Sequence, residues 1–406
     1  MQTLTIVLMS NLYPPQATGS TSQITGLARY LSDQGHKVIV IATRLDKTVP
    51  EFEESEGISI YRLRAFRLPR MKAALNFAWL NYSFTPANIL RVQAIIRRYK
   101  PEIIHLHNHM FDMAFQAVRA KKKFGIPLVI SIHTIITHPN PIYNFLLQAV
   151  DRSLLRNFVV RKADSLICAD QIVGKYIAEA FGIKPTAVIA YAVDPLPEPP
   201  QEKVTFLRQK FNLGEGPVIL SLGHIHQNRD RKEIIQILPE LRKIYPKIKL
   251  VIVGDVGTQL TGELASELGV NDCLVLTGAI PHSEVSAYIQ LADIEMHWFD
   301  PRHPHRTIGP SGMEVMGMGK VIATIADENI LGDGVLQDGK NIILVDLTNP
   351  GKFTDRLIRT LNNKSDREKI GKNARETANQ YFRWERIGAK TLDVYNELLR
   401  NKRSNN

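Results

Sequence analysis

The sequence predicts an α/β protein: two doubly wound, parallel-sheet domains facing a cleft. Three observations predict it. Short β-branched runs without polar interruption alternate with helix-period stretches, as in parallel strands covered on both faces. The rhythm runs through the first half and restarts after a Pro-rich, charged segment, VDPLPEPPQEK at 193–203, which has the make-up of a linker. A chain of 406 residues also exceeds what one core of ordinary size takes.

In the first half the strand candidates include 4–10, 37–43, 102–108, 127–133, 165–170 and 186–192. Helical stretches lie between them, such as SQITGLARYLSDQG at 22–35, which a glycine ends. The second half offers 217–223, 249–255, 273–279, 294–298, 320–326 and 341–346. In such sheets ligands bind beyond the carboxyl ends of the strands. Most of the motifs below fall there.

Composition excludes several classes. Apolar content of 44% and charged content of 22% are those of a soluble globular chain. No low-complexity tract, short repeat or heptad run is visible, and only RNKRSNN at 400–406 reads as frayed. The N-terminus lacks a basic segment ahead of its short apolar run and reads as a buried strand. No stretch is long and uncharged enough to span a bilayer. Cys168 and Cys273 lie in apolar runs of different halves and read as buried, reduced thiols, so the expected location is cytoplasmic.

The charge is lopsided. Residues 1–200 hold 23 Lys and Arg against 14 Asp and Glu, a balance of +9, and residues 201–406 hold 28 against 26, a balance of +2. The excess concentrates at 61–84 and 119–125. Such a field suits an anionic membrane surface, anionic substrates or nucleic acid. Arg62, Arg64, Arg67, Arg70 and Lys72 precede Trp79, Tyr82 and Phe84, a candidate membrane or acceptor face. The plainer reading is a solvated loop and helix. No RNP-type or zinc-finger feature accompanies it, so a specific nucleic-acid reader is not expected.

Four constellations carry chemistry. In HPHRTIGPSGMEVMGMGK, 303–320, Gly309 and Gly312 allow close backbone approach, and Pro310 suits a helix's first turn. The free amides from Ser311 to Glu314 would then face an anion such as a diphosphate, with Glu314 able to accept from ribose hydroxyls. The alternative is a plain capped surface helix. In LGHIHQNRDRKEII, 222–235, Arg229, Arg231 and Lys232 sit where a helix opens, against its dipole, so an anionic ligand is one reading and a solvated basic corner the other. In YPPQATGSTSQITGLARYL, 13–31, Thr18, Gly19 and Ser20 form a small-residue loop, or a turn with Ser20 or Thr21 as N-cap. The histidines form the fourth group. Two-residue spacing puts His105 and His107 on one strand face, but no Cys set or HExxH accompanies them, so no metal is expected. His133, at a strand end, suits a hydrogen-bonding role. Walker, GxGxxG, GxSxG and DxD patterns are absent.

The order of these pieces resembles the family-four retaining glycosyltransferases of GT-B fold, which are built of two Rossmann-like domains. The resemblance covers nearly the whole chain: YPPQATGSTSQITGLARYLSDQGHKVIVIAT, PEIIHLHNH, GIPLVISIHT, LVIVGD, CLVLTGAIPHSEVSAYIQLADI, GMEVMGMGKVIAT and REKIGKNARETANQYFRWERIGAKTLDVYNELL follow in family order. It implies a first, acceptor-side domain over 1–195, a nucleotide-sugar domain over 196–380 and a closing helix, 381–406, returning to the first. It also implies transfer of a sugar from a nucleotide-diphosphate donor with retention, to a glycan, lipid or small-molecule acceptor, without a metal or other cofactor. Glu314 matches the ribose-contacting second glutamate of the family's paired-glutamate motif. Gly309, Pro310, Ser311 and Gly312 match the backbone meeting phosphates and sugar. Arg229 falls at the phosphate lysine, Ile280 near the base, His133 at the histidine contacting the donor sugar, and Gly19 at the loop over the diphosphate. Arg306 stands in place of the first glutamate, His224 in place of a phosphate arginine, Thr18 in place of a loop glycine, and Asp230 in place of the glycine after the phosphate lysine. An Arg306 paired with an acidic donor sugar, or reaching the diphosphate, is one expectation. A peripheral position at the inner membrane face is consistent with the basic first half. An epimerase or phosphorylase on the same fold, and a non-catalytic nucleotide-sugar- or anionic-lipid-binding protein, remain open alternatives.

Overall fold

The computed structural model of the chain describes residues 3–16, 19–74, 80–225, 231–256, 259–297, 305–346 and 350–404. Two compact units emerge: Met1–Ala192 together with Trp384–Asn406, and Val193–Arg383. Both are α/β, each around a parallel sheet.

The first unit contains β1 (Thr5–Ser10), β2 (Lys37–Arg44), β3 (Phe52–Ser55), β4 (Ile58–Arg64), β5 (Phe66–Arg67), β6 (Asn81–Tyr82), β7 (Ile103–His107), β8 (Leu128–Ile132), β9 (Ser165–Cys168) and β10 (Ala187–Val188). Eight of them form one sheet in the order β10-β9-β8-β7-β1-β2-β4-β3. All its pairings are parallel except β3 on β4. The central strands β7 and β8 are buried at every position, which is why their sequences are near-continuous in apolar residues. Two apolar clusters fill the two faces, one around Val7, Ile39, Ile104 and Ile130, the other around Ile6, Leu8, Val38 and Val40. Alternate residues of one strand thus serve opposite faces. The helix Trp384–Ser404 joins the second cluster through Ile387, Leu392 and Tyr395.

The second unit contains β11 (Val218–Leu222), β12 (Lys249–Val253), β13 (Leu274–Leu276), β14 (Ile294–Met296), β15 (Ile322–Thr324) and β16 (Ile343–Leu344). They form one parallel sheet in the order β13-β12-β11-β14-β15-β16. Cys168 and Cys273 are buried free thiols, and burial pushes the Cys168 thiol up to about 12, so it stays protonated and inert.

Several expectations need correction. Residues 58–64 are not loop: ISIYRLR is strand β4, buried at most positions. Arg62 therefore leaves the proposed surface face. Its guanidinium is buried and binds Glu53 Oε1 at 2.7 Å from the adjacent β3. Gly19 and Ser20 are not loop, because the first helix already begins at Gly19. The segment read as a linker, 193–203, runs into the helix Gln201–Lys210, with Pro200 as its N-cap, and Val193 N donates to Phe382 O. RNKR at 400–403 is helical, continuing to Ser404.

Candidate functional site

In the second unit the expected donor residues collect at the carboxyl ends of the strands. Just after β11 comes Gly223, whose amide donates to Val253 O, and just after β12 comes Gly254, whose amide donates to Gly278 O. Gly254 has φ +150, and a Cβ there would lie 2.4 Å from the Gly223 carbonyl oxygen. Only glycine permits both that conformation and that approach. The strand-end loops are thereby drawn together. His224 is exposed, and its Nδ1 accepts from Asp255 N at 3.1 Å. Ile280 is half-buried two residues beyond Gly278.

The helix Pro310–Gly317 follows, with Gly309 as N-cap and proline in its first turn. Pro310 has no N–H to waste, and the fixed φ suits that position. Glu314 is mostly buried, and its Oε1 pairs at 2.8 Å with Nε2 of His282, whose side chain is 68% exposed. The hydrogen bond to Glu314 raises the His282 pKa above its ordinary value. Three hydrogen bonds thus tie His224 to Asp255, Gly254 to Gly278 and His282 to Glu314, and the chain itself carries Gly278 through Ile280 to His282. Ser311 is half-buried and Gly312 buried at the start of that helix. Arg306 is exposed and makes no side-chain hydrogen bond among the described residues. Arg229 lies outside the described residues, as do Thr18, Asp230 and Trp79.

Arg231 corrects the basic-corner reading. It sits at φ +62 with a buried side chain. Its guanidinium turns inward, donating to Ser221 Oγ at 2.7 Å and to the carbonyls of Leu222 and Gly223 at 3.1 Å each. It shapes the end of β11 and does not face solvent.

Two residues here had no motif to announce them. Glu295, fully buried in β14, accepts from Leu222 N at 3.3 Å. His297 lies with Nδ1 3.4 Å from Glu295 Oε1, and its Nε2 accepts from Gly309 N at 3.4 Å. They tie the N-cap of the 310–317 helix to the sheet. Their alternating place after a strand was the available signal, but it reads equally as core.

In the first unit, His133 follows β8. Its ring stacks between His107 and Tyr191, at centroid distances of 5.3 and 5.5 Å. Its Nε2 meets His107 Nδ1 at 3.2 Å, and its backbone carbonyl accepts from the Tyr191 hydroxyl at 2.9 Å. Its Nδ1 is buried without a partner, beside a cavity of about 30 Å³ lined by Gln23, Ser131 and Tyr191, room for a water or two. His105 is bonded on both sides, to Tyr395 OH at 2.6 Å and Ser131 Oγ at 2.7 Å. Burial lowers the pKa of His105 to about 3 and of His133 to about 4, with His107 also well below the ordinary value. All three imidazoles are neutral at pH 7. Gly19 opens the first helix, and its neighbour Ser20 receives Asn108 Nδ2 at 3.2 Å from the end of β7. Arg64, Arg67, Arg70 and Lys72 are exposed, although Arg64 is held to Glu51 at 3.0 Å. Among the described residues no three His, Cys, Asp or Glu side chains are grouped to hold a metal.

Comparison with known proteins decides the lineage. The family described as Glycosyltransferase Family 4 matches residues 17–195, and the one described as Glycosyl transferases group 1 matches residues 203–377. This chain belongs to the family 4 glycosyltransferases of GT-B fold. Alpha-monoglucosyldiacylglycerol synthase of Streptococcus pneumoniae is 26% identical to this glycosyltransferase over 71% of the chain, and the match spans 64% of that enzyme. Sulfoquinovosyl transferase of Arabidopsis thaliana is 26% identical over 90% of the chain and 68% of that protein. In structure, sucrose-phosphate synthase from Thermosynechococcus elongatus superimposes with a TM-score of 0.77 at 18% identity, covering 98% of this chain and 100% of that one. That likeness is one of fold.

Proposed function

We propose that this glycosyltransferase moves a sugar, with retention, from a nucleoside-diphosphate donor held on the second unit to a lipid or glycan acceptor. One observation carries the reading: the hydrogen bonds His224–Asp255, Gly254–Gly278 and His282–Glu314 tie the strand-end loops together beside the 310–317 helix that carries Glu314. An anion beyond Gly309 meets unpaired helix amides and the positive end of the dipole. Glu314, one turn in and steadied by His282 through one oxygen, keeps its other oxygen for ribose hydroxyls. The leaving diphosphate gathers negative charge as the glycosyl bond breaks, and fixed donors stabilise that charge. Arg229 and Arg306 supply them alongside the amides. No double-displacement nucleophile is assigned, so departure and attack take place on one face. The names of the two relatives, one making a glucosyl lipid and the other moving a sulfonated sugar, support a lipid acceptor and an anionic donor sugar paired with Arg306.

Incubation with a panel of nucleoside-diphosphate sugars and lipid or glycan acceptors, with the anomeric proton coupling of the product read by NMR, tests this. The donor's configuration should be retained. Arg229→Ala should lower turnover on the order of 10²–10³-fold; an unchanged rate contradicts the assignment. Arg306→Glu should cost an acidic donor more than a neutral one. A donor isomerised with no acceptor present would instead reveal an epimerase.

A further inference from the structure

The first unit carries an apolar ridge that its own fold leaves uncovered. The helix Pro141–Val150 runs through a π-helical turn, Asp151–Leu155, into a last turn, Arg156–Phe158. No residue of the 141–150 segment is buried. Ile142 is 69% exposed, Phe145 72% and Phe158 62%, with Leu146, Val150 and Leu154 exposed between them. In an α-helix each four-residue step overshoots a full turn by about 40°, so the row 146, 150, 154, 158 would wind off one face. The wide turn takes in an extra residue and returns Leu154 and Phe158 toward the line of Ile142 and Phe145. The opposite side is anchored: Asp151 is buried and bonded to His109 Nε2 at 2.8 Å and to the Tyr176 hydroxyl.

A continuous apolar patch of this kind is uncommon on a monomer and marks an interaction surface. Its charge rim says with what. Between 135 and 162 the only carboxylate is Asp151, which is buried, whereas Arg152, Arg161 and Lys162 are exposed. At the helix's approach His138 Nε2 meets the Lys72 carbonyl at 2.8 Å, which places Lys72, the end of the basic run, alongside. A two-fold pairing of this helix with its copy would oppose like charges, because the helix itself carries no exposed carboxylate to match them,. A bilayer bearing anionic headgroups matches both ridge and rim.

We propose that helix 141–158 docks the protein on an anionic membrane surface. It lies in the plane of the interface, with the ridge at the acyl boundary and the three cations among lipid phosphates. The docking element is thus this helix, with the basic segment singled out from sequence as its flank. The proposal concerns attachment, read as vesicle binding, so it stands or falls separately from donor use.

The test is flotation of the full chain with vesicles of phosphatidylcholine alone or with about 30% phosphatidylglycerol. The wild type should float with the anionic vesicles and be weakened, not released, by about 0.5 M salt. Phe145→Ser/Phe158→Ser should lower the partition coefficient at least about tenfold, and Arg152→Gln/Arg161→Gln/Lys162→Gln should abolish the preference for anionic lipid. Melting curves check that both variants fold. Independently, Phe145→Trp should be quenched by bromine-labelled acyl chains. Failure of the wild type to float, flotation of the ridge variant like wild type, or an unquenched Trp would overturn the proposal. So would a wild-type dimer, without lipid, that the ridge variant converts to monomer.

Discussion

The His282–Glu314 pair is an ion pair of the candidate donor site, and its exposed histidine makes it easy to interrogate. Glu314 raises the His282 pKa, so the pair's contribution to stability is fully present below about 6.5, the ordinary histidine value, and is lost as pH rises through the raised one. With His282 largely in solvent the contribution is small, about 0.2–1 kcal/mol. The titration itself is the better readout. His282 should titrate above an ordinary histidine in NMR spectra, and Glu314→Gln should bring it back; a pKa that does not move would show that the pair is not formed in solution. Glu314 was legible in the sequence because a Gly-Pro turn announces a helix start. Its partner, 32 residues away, was not, because nothing local in PHSEV marks a histidine that will meet a distant carboxylate. Arg62 and Arg231 misled for a related reason. A charge read along the chain looks solvated, and only the neighbouring strand's Glu53, or the carbonyls ending β11, show that it is buried.

Among the elements, the first helix and the last one pack through reciprocal glycines. A Cβ on Gly26 would lie 2.1 Å from the Trp384 ring, and one on Gly388 would lie 2.2 Å from the Tyr30 ring. Each helix therefore receives an aromatic ring of the other against bare backbone. Alanine favours an isolated helix over glycine by about 1 kcal/mol, but here it must displace a ring. Gly26→Ala and Gly388→Ala should each lower unfolding free energy by about 1–3 kcal/mol in urea titrations; an unchanged or raised midpoint would contradict the packing. Strand positions were legible because β1, β2, β7, β8, β11 and β12 are apolar and covered on both faces. β4 was not, since Arg62 and Arg64 break its apolar run. β16 lies within the longer expected strand 341–346, because pairing covers only Ile343 and Leu344.

For the whole molecule, the two-sheet α/β plan followed from the restarted strand–helix rhythm. The rhythm alone did not return the last helix to the first unit; the resemblance implied that return, and the bond between Tyr395 and His105, 290 residues apart, is one contact made by that helix. That bond belongs to a buried, neutral histidine cluster with a consequence for pH. His105, His107 and His133 have folded pKa values below the ordinary one because burial disfavours the cation. Their contribution to stability is therefore present above about 6.5 and lost as pH falls toward the folded values near 4 and 3,. Between pH 7 and 5.5 the cost should be about 1 kcal/mol for each histidine, measured by denaturant unfolding. His133→Gln should lessen that dependence by about a third, and a stability independent of pH over this range in the wild type would contradict it.

The central claim is a nucleoside-diphosphate sugar seated where the 310–317 helix meets the strand ends of the second unit. Calorimetric titration of a panel of such sugars into wild type and Glu314→Ala tests it most directly. The account predicts saturable binding of at least one donor, weakened about tenfold or more in the variant, as expected for a lost hydrogen bond to a charged group. No binding across the panel, or equal affinity in both proteins, would contradict it.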